Sequence, residues 1–295
     1  MQVEFFISME NKLFLFFVLF FTVKAMSQSI DSTSNLENQI RLMIFVNGNR
    51  GPKFNKITTD NSLELNDRTG YWYHFDDTII NRFQPVKAIY FDGHHPVSSS
   101  MHRTNARFLK AYFFSRFCWF SRRSRWVLNT KFNEDGFKIR VANGKIAGQK
   151  FLTYLSENQL LDKSITVDFV NHSMGYAYSL GIIEIIKPYI KLGKFLAIAP
   201  ESANYQGMDW NQFDEVWQYG SNMDQPNGDV IYFQDGIAPQ TPLKNLDKLA
   251  LDKGGRVFIP EEWGKSKKGF LRSHHLKWFQ WFFLIKPSDK GYFTR

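Results

Sequence analysis

The sequence predicts an α/β fold, a mostly parallel central sheet with helices on both faces. Three observations carry this expectation. Apolar runs of strand length alternate with stretches of helical apolar spacing, the order that yields βαβ units and a parallel sheet. Turns rich in Gly, Asn and Asp close the apolar runs abruptly. One run, Ile165 to Val170, passes directly through Asn171 into His172-Ser173-Met174-Gly175 and an apolar helix.

Taken in order, a polar stretch from Gln28 to Gln39 precedes Arg41 to Val46, which reads as a buried strand. It ends in Asn47-Gly48-Asn49-Arg50-Gly51-Pro52, a turn whose composition exposes backbone N–H groups. Val86 to Phe91 is a second strand, closed by Asp92-Gly93-His94-His95-Pro96. Thr104 to Phe120 carries helical apolar spacing with basic residues on the other faces, and Lys145 to Asn158 reads as a further helix. Ile165 to Val170 is the third strand, followed by a helix from Tyr176 to Ile186 that Pro188 ends. Lys194 to Ala199 and Asp229 to Phe233 are expected as the fourth and fifth strands, each followed by an acidic residue, Glu201 and Asp235. Arg256 to Ile259 is a shorter sixth. No internal repeat or low-complexity linker interrupts this order.

The 295 residues, 43% hydrophobic and 17% aromatic, suffice for one large core. Thirty Phe and eight Trp exceed what one core requires and suggest aromatic contacts at the surface. A net charge of +9 favours anionic partners. From Gly93 to Asn133 there is no Asp or Glu, while Arg103, Arg107, Lys110, Arg116, Arg122, Arg123, Arg125 and Lys131 gather among Phe, Tyr and Trp. This basic-aromatic insertion, around residues 103–132, reads either as an interfacial segment for an anionic membrane surface or as an amphipathic helix packed on the sheet. No nucleic acid is expected, since no recognition motif is present. Cys118 is the only cysteine, which excludes an intramolecular disulfide and a zinc site built on several thiolates. His94, His95 and His102, with Asp92 nearby, match no metal-binding spacing; no metal and no cofactor are expected.

The apolar run from Leu13 to Val23 is shorter than the about 20 residues a membrane-crossing helix needs, and Lys24 and Ala25-Met26-Ser27 follow it. Residues 1–27 therefore read as a cleaved signal peptide, with Met9 as an alternative start, and the mature chain as secreted or periplasmic. No Cys follows the cleavage site, so lipid anchoring is not suggested. Residues 28–295 form the remaining domain.

A serine becomes a nucleophile when a histidine takes its proton and N–H donors stabilise the oxyanion. A serine on a sharp strand-to-helix turn needs small neighbours two positions either side; Gly175 satisfies this, whereas Asn171 stands where Gly is expected. Asn tolerates unusual backbone angles better than most residues. His172-Ser173-Met174-Gly175 after Val167-Asp168-Phe169-Val170 resembles the nucleophile elbow of lipase-like α/β hydrolases, and the order of elements extends the likeness over residues 41 to 282. The resemblance implies a serine carboxylic-ester hydrolase with an α/β-hydrolase-like fold and Ser173 as nucleophile. It implies oxyanion donors from the N–H of Met174 and from the Asn47 to Asn49 turn, at Gly48 or Asn49. The acid would be Asp235, with Glu201 and Asp229 as alternatives, and the base His274 or His275. His172 is expected to pack or line the pocket. The expected substrate is an acyl ester or lipid. The alternative is a non-catalytic protein of the same fold that binds membrane or an apolar ligand.

Overall fold

The computed structural model describes residues 40–48, 71–72, 74–93, 134–161, 164–220, 232–233, 236–237, 241–258 and 276–292. Its centre is a six-stranded, all-parallel sheet. The strands are β1 (Ile40–Val46), β2 (Lys87–Phe91), β3 (Ile165–His172), β4 (Lys191–Ile198), β5 (Glu215–Gly220) and β8 (Gly254–Phe258), in the spatial order β2-β1-β3-β4-β5-β8. A separate two-residue hairpin pairs β6 (Tyr232–Phe233) antiparallel with β7 (Gly236–Ile237). Three α-helices are described: α1 (Phe75–Phe83), α2 (Glu134–Glu157) and α3 (Gly175–Ile186).

The inner strands β1, β3, β4 and β5 are buried on both faces, as parallel strands covered by helices must be, while the edge strand β8 is only half-buried. In β1, Leu42, Ile44 and Val46 join the core cluster containing α2 and α3, while Met43 and Phe45 join the one containing α1 and the 3-10 segment Leu276–Leu284. All eight residues of β3 are buried. The division of helices follows from crossover handedness. The chain moves from β1 to β2 in one direction across the sheet, and from β2 to β3 and β3 to β4 in the other. Right-handed connections then place α1 on one face and α2 and α3 on the opposite face. The two core clusters have this membership.

One extra residue in β4 shifts its register against β3 between Val167 and Phe169. The polar residue at that irregularity, Asp168, accepts hydrogen bonds from the Lys194 N–H at 2.7 Å and from the Arg41 guanidinium through Nη2 at 2.8 Å. The carboxylate in turn raises the Arg41 pKa above its ordinary value, against the opposing effect of burial.

Helix α1 was not expected from sequence, and two further elements differ from that expectation. The fifth position of the sheet is Glu215–Gly220 rather than Asp229 to Phe233, of which Tyr232–Phe233 pairs only in the hairpin. Helix α2 begins at Glu134, eleven residues before Lys145, because Gly136, Gly144 and Gly148 do not break it. Gly144 and Gly181 instead let α2 and α3 touch backbone to backbone: a Cβ on Gly144 would collide with the Tyr178 carbonyl, and one on Gly181 with the Val141 carbonyl. The expected helix Thr104 to Phe120 lies outside the described residues.

Candidate active site

The chain reverses its direction of travel across the sheet between β1 and β3, and in parallel sheets the crevice at the strands' carboxyl ends beside such a switch point is where ligands bind. β3 delivers Ser173 to this place and β1 delivers Asn47 and Gly48.

Ser173 occupies the turn between β3 and α3 with φ 59°, in the left-handed region that non-glycine residues seldom adopt. Three backbone bonds hold it there. Its N–H donates to the Ile198 carbonyl at 3.0 Å, and its carbonyl accepts from the N–H groups of Tyr176 at 3.1 Å and Glu201 at 3.2 Å. Such strain persists where the surroundings over-determine it, and it concentrates at functional sites. Gly175 is required next: a Cβ there would lie 2.5 Å from the Val46 carbonyl oxygen and 2.8 Å from that of Asn47. Gly48 is equally constrained, since a Cβ on it would lie 2.6 Å from the Ser173 Cβ. A bare stretch of β1 backbone is thereby brought against the serine, and Met174 follows it at the start of α3, fully buried.

The side chains around the serine are polar and buried. Ser173 Oγ donates to Glu201 Oε1 at 3.0 Å, with both residues below 5% exposed. Tyr71, from the segment before α1, accepts from the Gly48 N–H at 2.9 Å, and its hydroxyl also meets His172 Nδ1 in a short hydrogen bond. Asn47 donates from Nδ2 to the Gly48 carbonyl at 2.9 Å and to Asp92 Oδ1 at 2.8 Å, which fixes the glycine's peptide. Behind the elbow, burial pushes the Tyr176 and Tyr178 phenols upward from their ordinary pKa, the latter helped by the charge of Asp92.

Asn171 is fully buried, its register neighbours being Val46 of β1 and Ala197 of β4, both in the core under α2 and α3. The larger residue two before the serine is thus accommodated on the helix-covered face. Neither of its amide atoms hydrogen-bonds a protein group.

Of the residues expected from sequence, Ser173, Met174 and Gly48 come together at the switch point. Asn49, Asp235, His274 and His275 lie outside the described residues, as do Asp229, His94, His95 and His102. Glu201, the alternative acid, meets the serine directly. Sequence reasoning missed Tyr71, because its partners lie 23 and 101 positions away and nothing local marks it. It also missed the pairing of His172 with that phenol. Among the described residues, no group of three or more His, Cys, Asp or Glu side chains could hold a metal ion. Comparison of the chain with protein-family models, with curated proteins and with solved structures finds no match.

Proposed function

We propose that the protein is an exported serine hydrolase of the α/β-hydrolase class that cleaves acyl esters through an acyl-enzyme on Ser173. The observation that carries this reading is the conformation of Ser173. A non-glycine residue is held at φ 59° on a strand-to-helix turn, at the carboxyl ends of parallel strands, with glycine backbone from the adjacent strand against its Cβ. The order of parts along the chain supports it. The serine follows β3, a carboxylate contacting it follows β4, and the two candidate histidines follow β8.

In this reading Ser173 Oγ attacks the ester carbonyl while a histidine takes its proton, and the oxyanion is met by the N–H groups of Met174 and Gly48. In this reading Glu201 does not replace the histidine as base. Its role is to orient and charge-stabilise the base, which is His274 or His275. His172 is assigned a positioning role beside the serine, its Nδ1 engaged with Tyr71. Asp235 remains the competing acid. The basic-aromatic segment around 103–132 supports lipid esters at an anionic surface as substrates. No cofactor enters the scheme.

A second reading has its own observation. The serine is only 2% exposed and its hydroxyl already donates to Glu201, as suits a hydrolase fold retained to bind an apolar ligand or membrane without catalysis. Labelling with a fluorophosphonate separates the two. The wild type is expected to label and Ser173→Ala not to. Glu201→Gln and one of His274→Ala and His275→Ala should lose labelling, and Asp235→Asn should keep it. A folded wild type that stays unlabelled even with detergent or lipid present overturns the enzyme reading in favour of the binding one.

A further inference from the structure

The contact that ordinary elbow chemistry does not use is the one made by Tyr71. Its hydroxyl sits 2.9 Å from the Gly48 nitrogen, on the N–H that the proposed mechanism assigns to the oxyanion. The point where a Gly48 Cβ would stand is 2.9 Å from that hydroxyl and 2.6 Å from the Ser173 Cβ, so phenol and nucleophile both crowd the same glycine. A phenol offers one donor and two acceptor positions. Here one acceptor position takes the Gly48 N–H and His172 Nδ1 engages the hydroxyl from another side. Both Tyr71 and His172 are buried, at 7% and 4% exposure, where a hydrogen bond aimed at developing charge is strongest.

We propose that the Tyr71 hydroxyl is a side-chain oxyanion donor for the reaction at Ser173, with His172 as the residue that positions it; this rests on the serine-hydrolase reading above. When an ester enters, its carbonyl oxygen takes the Gly48 N–H that the phenol now accepts. Ser173 Oγ bonds to the carbonyl carbon, the C=O π pair moves onto oxygen, and the Oγ proton passes to the histidine base. The oxyanion then receives hydrogen bonds from Gly48, Met174 and the Tyr71 O–H. The phenol keeps its proton throughout, and the scheme requires the His172 tautomer whose Nδ1–H donates to the phenol oxygen, leaving the O–H for the oxyanion. Collapse re-forms the C=O bond and expels the alkoxide, which takes the proton back from the histidine. His172, anchored by β3 directly before the serine, accounts for the phenol's position even though Tyr71 belongs to a distant stretch of chain.

The experiment uses full-length mature protein and a short-chain p-nitrophenyl ester. Tyr71→Phe keeps the ring and its packing against Trp72 and removes only the hydroxyl. The expected result is a fall in kcat of about 100-fold or more, as for loss of one oxyanion donor, with KM within threefold and fluorophosphonate labelling of Ser173 slowed in parallel. A kcat within threefold of wild type overturns the proposal. Incorporation of 3,5-difluorotyrosine at position 71 covers the case in which Tyr71→Phe folds poorly. Fluorination makes the phenol more acidic than that of tyrosine, and a phenolate cannot donate. The kcat–pH profile should therefore gain a descending alkaline limb that the wild type lacks, and its absence also overturns the proposal. Failure of the wild type to label at all would reject the parent reading instead, and so the two failures are distinguishable.

Discussion

The backbone strain at Ser173 is one of three neighbouring instances. Ala199 at φ 44° and Ser202 at φ 50° also lie in the left-handed region, and hydrogen bonds connect the group: Ser173 N–H to Ile198, Ala199 N–H to Tyr219, and Glu201 N–H to Ser173. A non-glycine residue pays about 1–2 kcal/mol for this conformation. The two replacements that both delete the nucleophile should therefore differ in stability. Ser173→Gly is expected to be more stable than Ser173→Ala by about 1 kcal/mol, measured as a shift in urea midpoint at unchanged slope. Equal midpoints would mean that the strain is absent in solution. What sequence alone could read at this scale was the serine on its turn, because strand, turn and helix are contiguous there, with Glu201 as one of three candidate acids. The partners that decide what the serine does, Glu201 and Tyr71, arrive from 28 positions after it and 102 before it. They are joined to it by topology, which no local pattern encodes.

At the scale of elements, α2 and α3 approach closely through glycine faces, with Phe137 meeting Tyr176 edge-on nearby. A Cβ on Gly148 would lie 2.8 Å from the Ile185 Cβ, and Gly144 and Gly181 leave no room for a Cβ at all. Gly181→Val should cost at least about 3 kcal/mol, the upper range for overpacking, and should reduce Ser173 labelling because α3 carries the elbow's Gly175. Denaturant unfolding and labelling rate read the two effects; a stable, fully reactive variant would refute the close packing. The sequence yielded only the second half of α2, although Gly136 and Gly144 of the first half are buried inside the helix. Strand β5 was missed as well. Glu215 and Gln218 interrupt its apolar character, but Gln218 faces inward to donate to the Thr241 carbonyl and accept from the Leu243 N–H. By contrast β3 was legible because every residue from Ile165 to Val170 but Thr166 and Asp168 is apolar, the mark of a strand covered on both faces. Helix α1 carries its own local signal, Phe75, Ile79 and Phe83 at four-residue spacing with Asp76 and Asp77 in the first turn.

Across the whole molecule, the two core layers on either side of the sheet carry buried phenols that cannot ionise in place. Tyr176 and Tyr178 lie on the α3 side and Tyr219 on the α1 side; burial raises all three, and Glu215 adds to the effect at Tyr219. Their folded pKa lies above the 10.0 of an ordinary phenol, so the folded chain binds more protons than the unfolded one once pH exceeds that value. Stability is then fully present below about pH 10 and declines as pH rises above it. Absorbance titration at 295 nm is expected to show these phenols ionising only together with the loss of near-ultraviolet circular dichroism. Ionisation of all tyrosines with the dichroism intact would refute their burial.

The meeting of three chain segments at the elbow also bears on how such a site can change over generations. Gly48, Gly93 and Gly175 each stand where a Cβ would strike another backbone segment, and Gly93 would strike the Asn47 carbonyl itself. At each of these positions even alanine, the smallest single-codon replacement, demands a shift of main chain rather than of a side chain. In a saturation library selected for Ser173 reactivity, these three positions should return glycine alone, while the helix-covered Asn171 tolerates replacement. Heritable variation in what the site accepts is thereby directed away from the elbow, toward side chains such as Tyr71 that reach it from elsewhere in the chain.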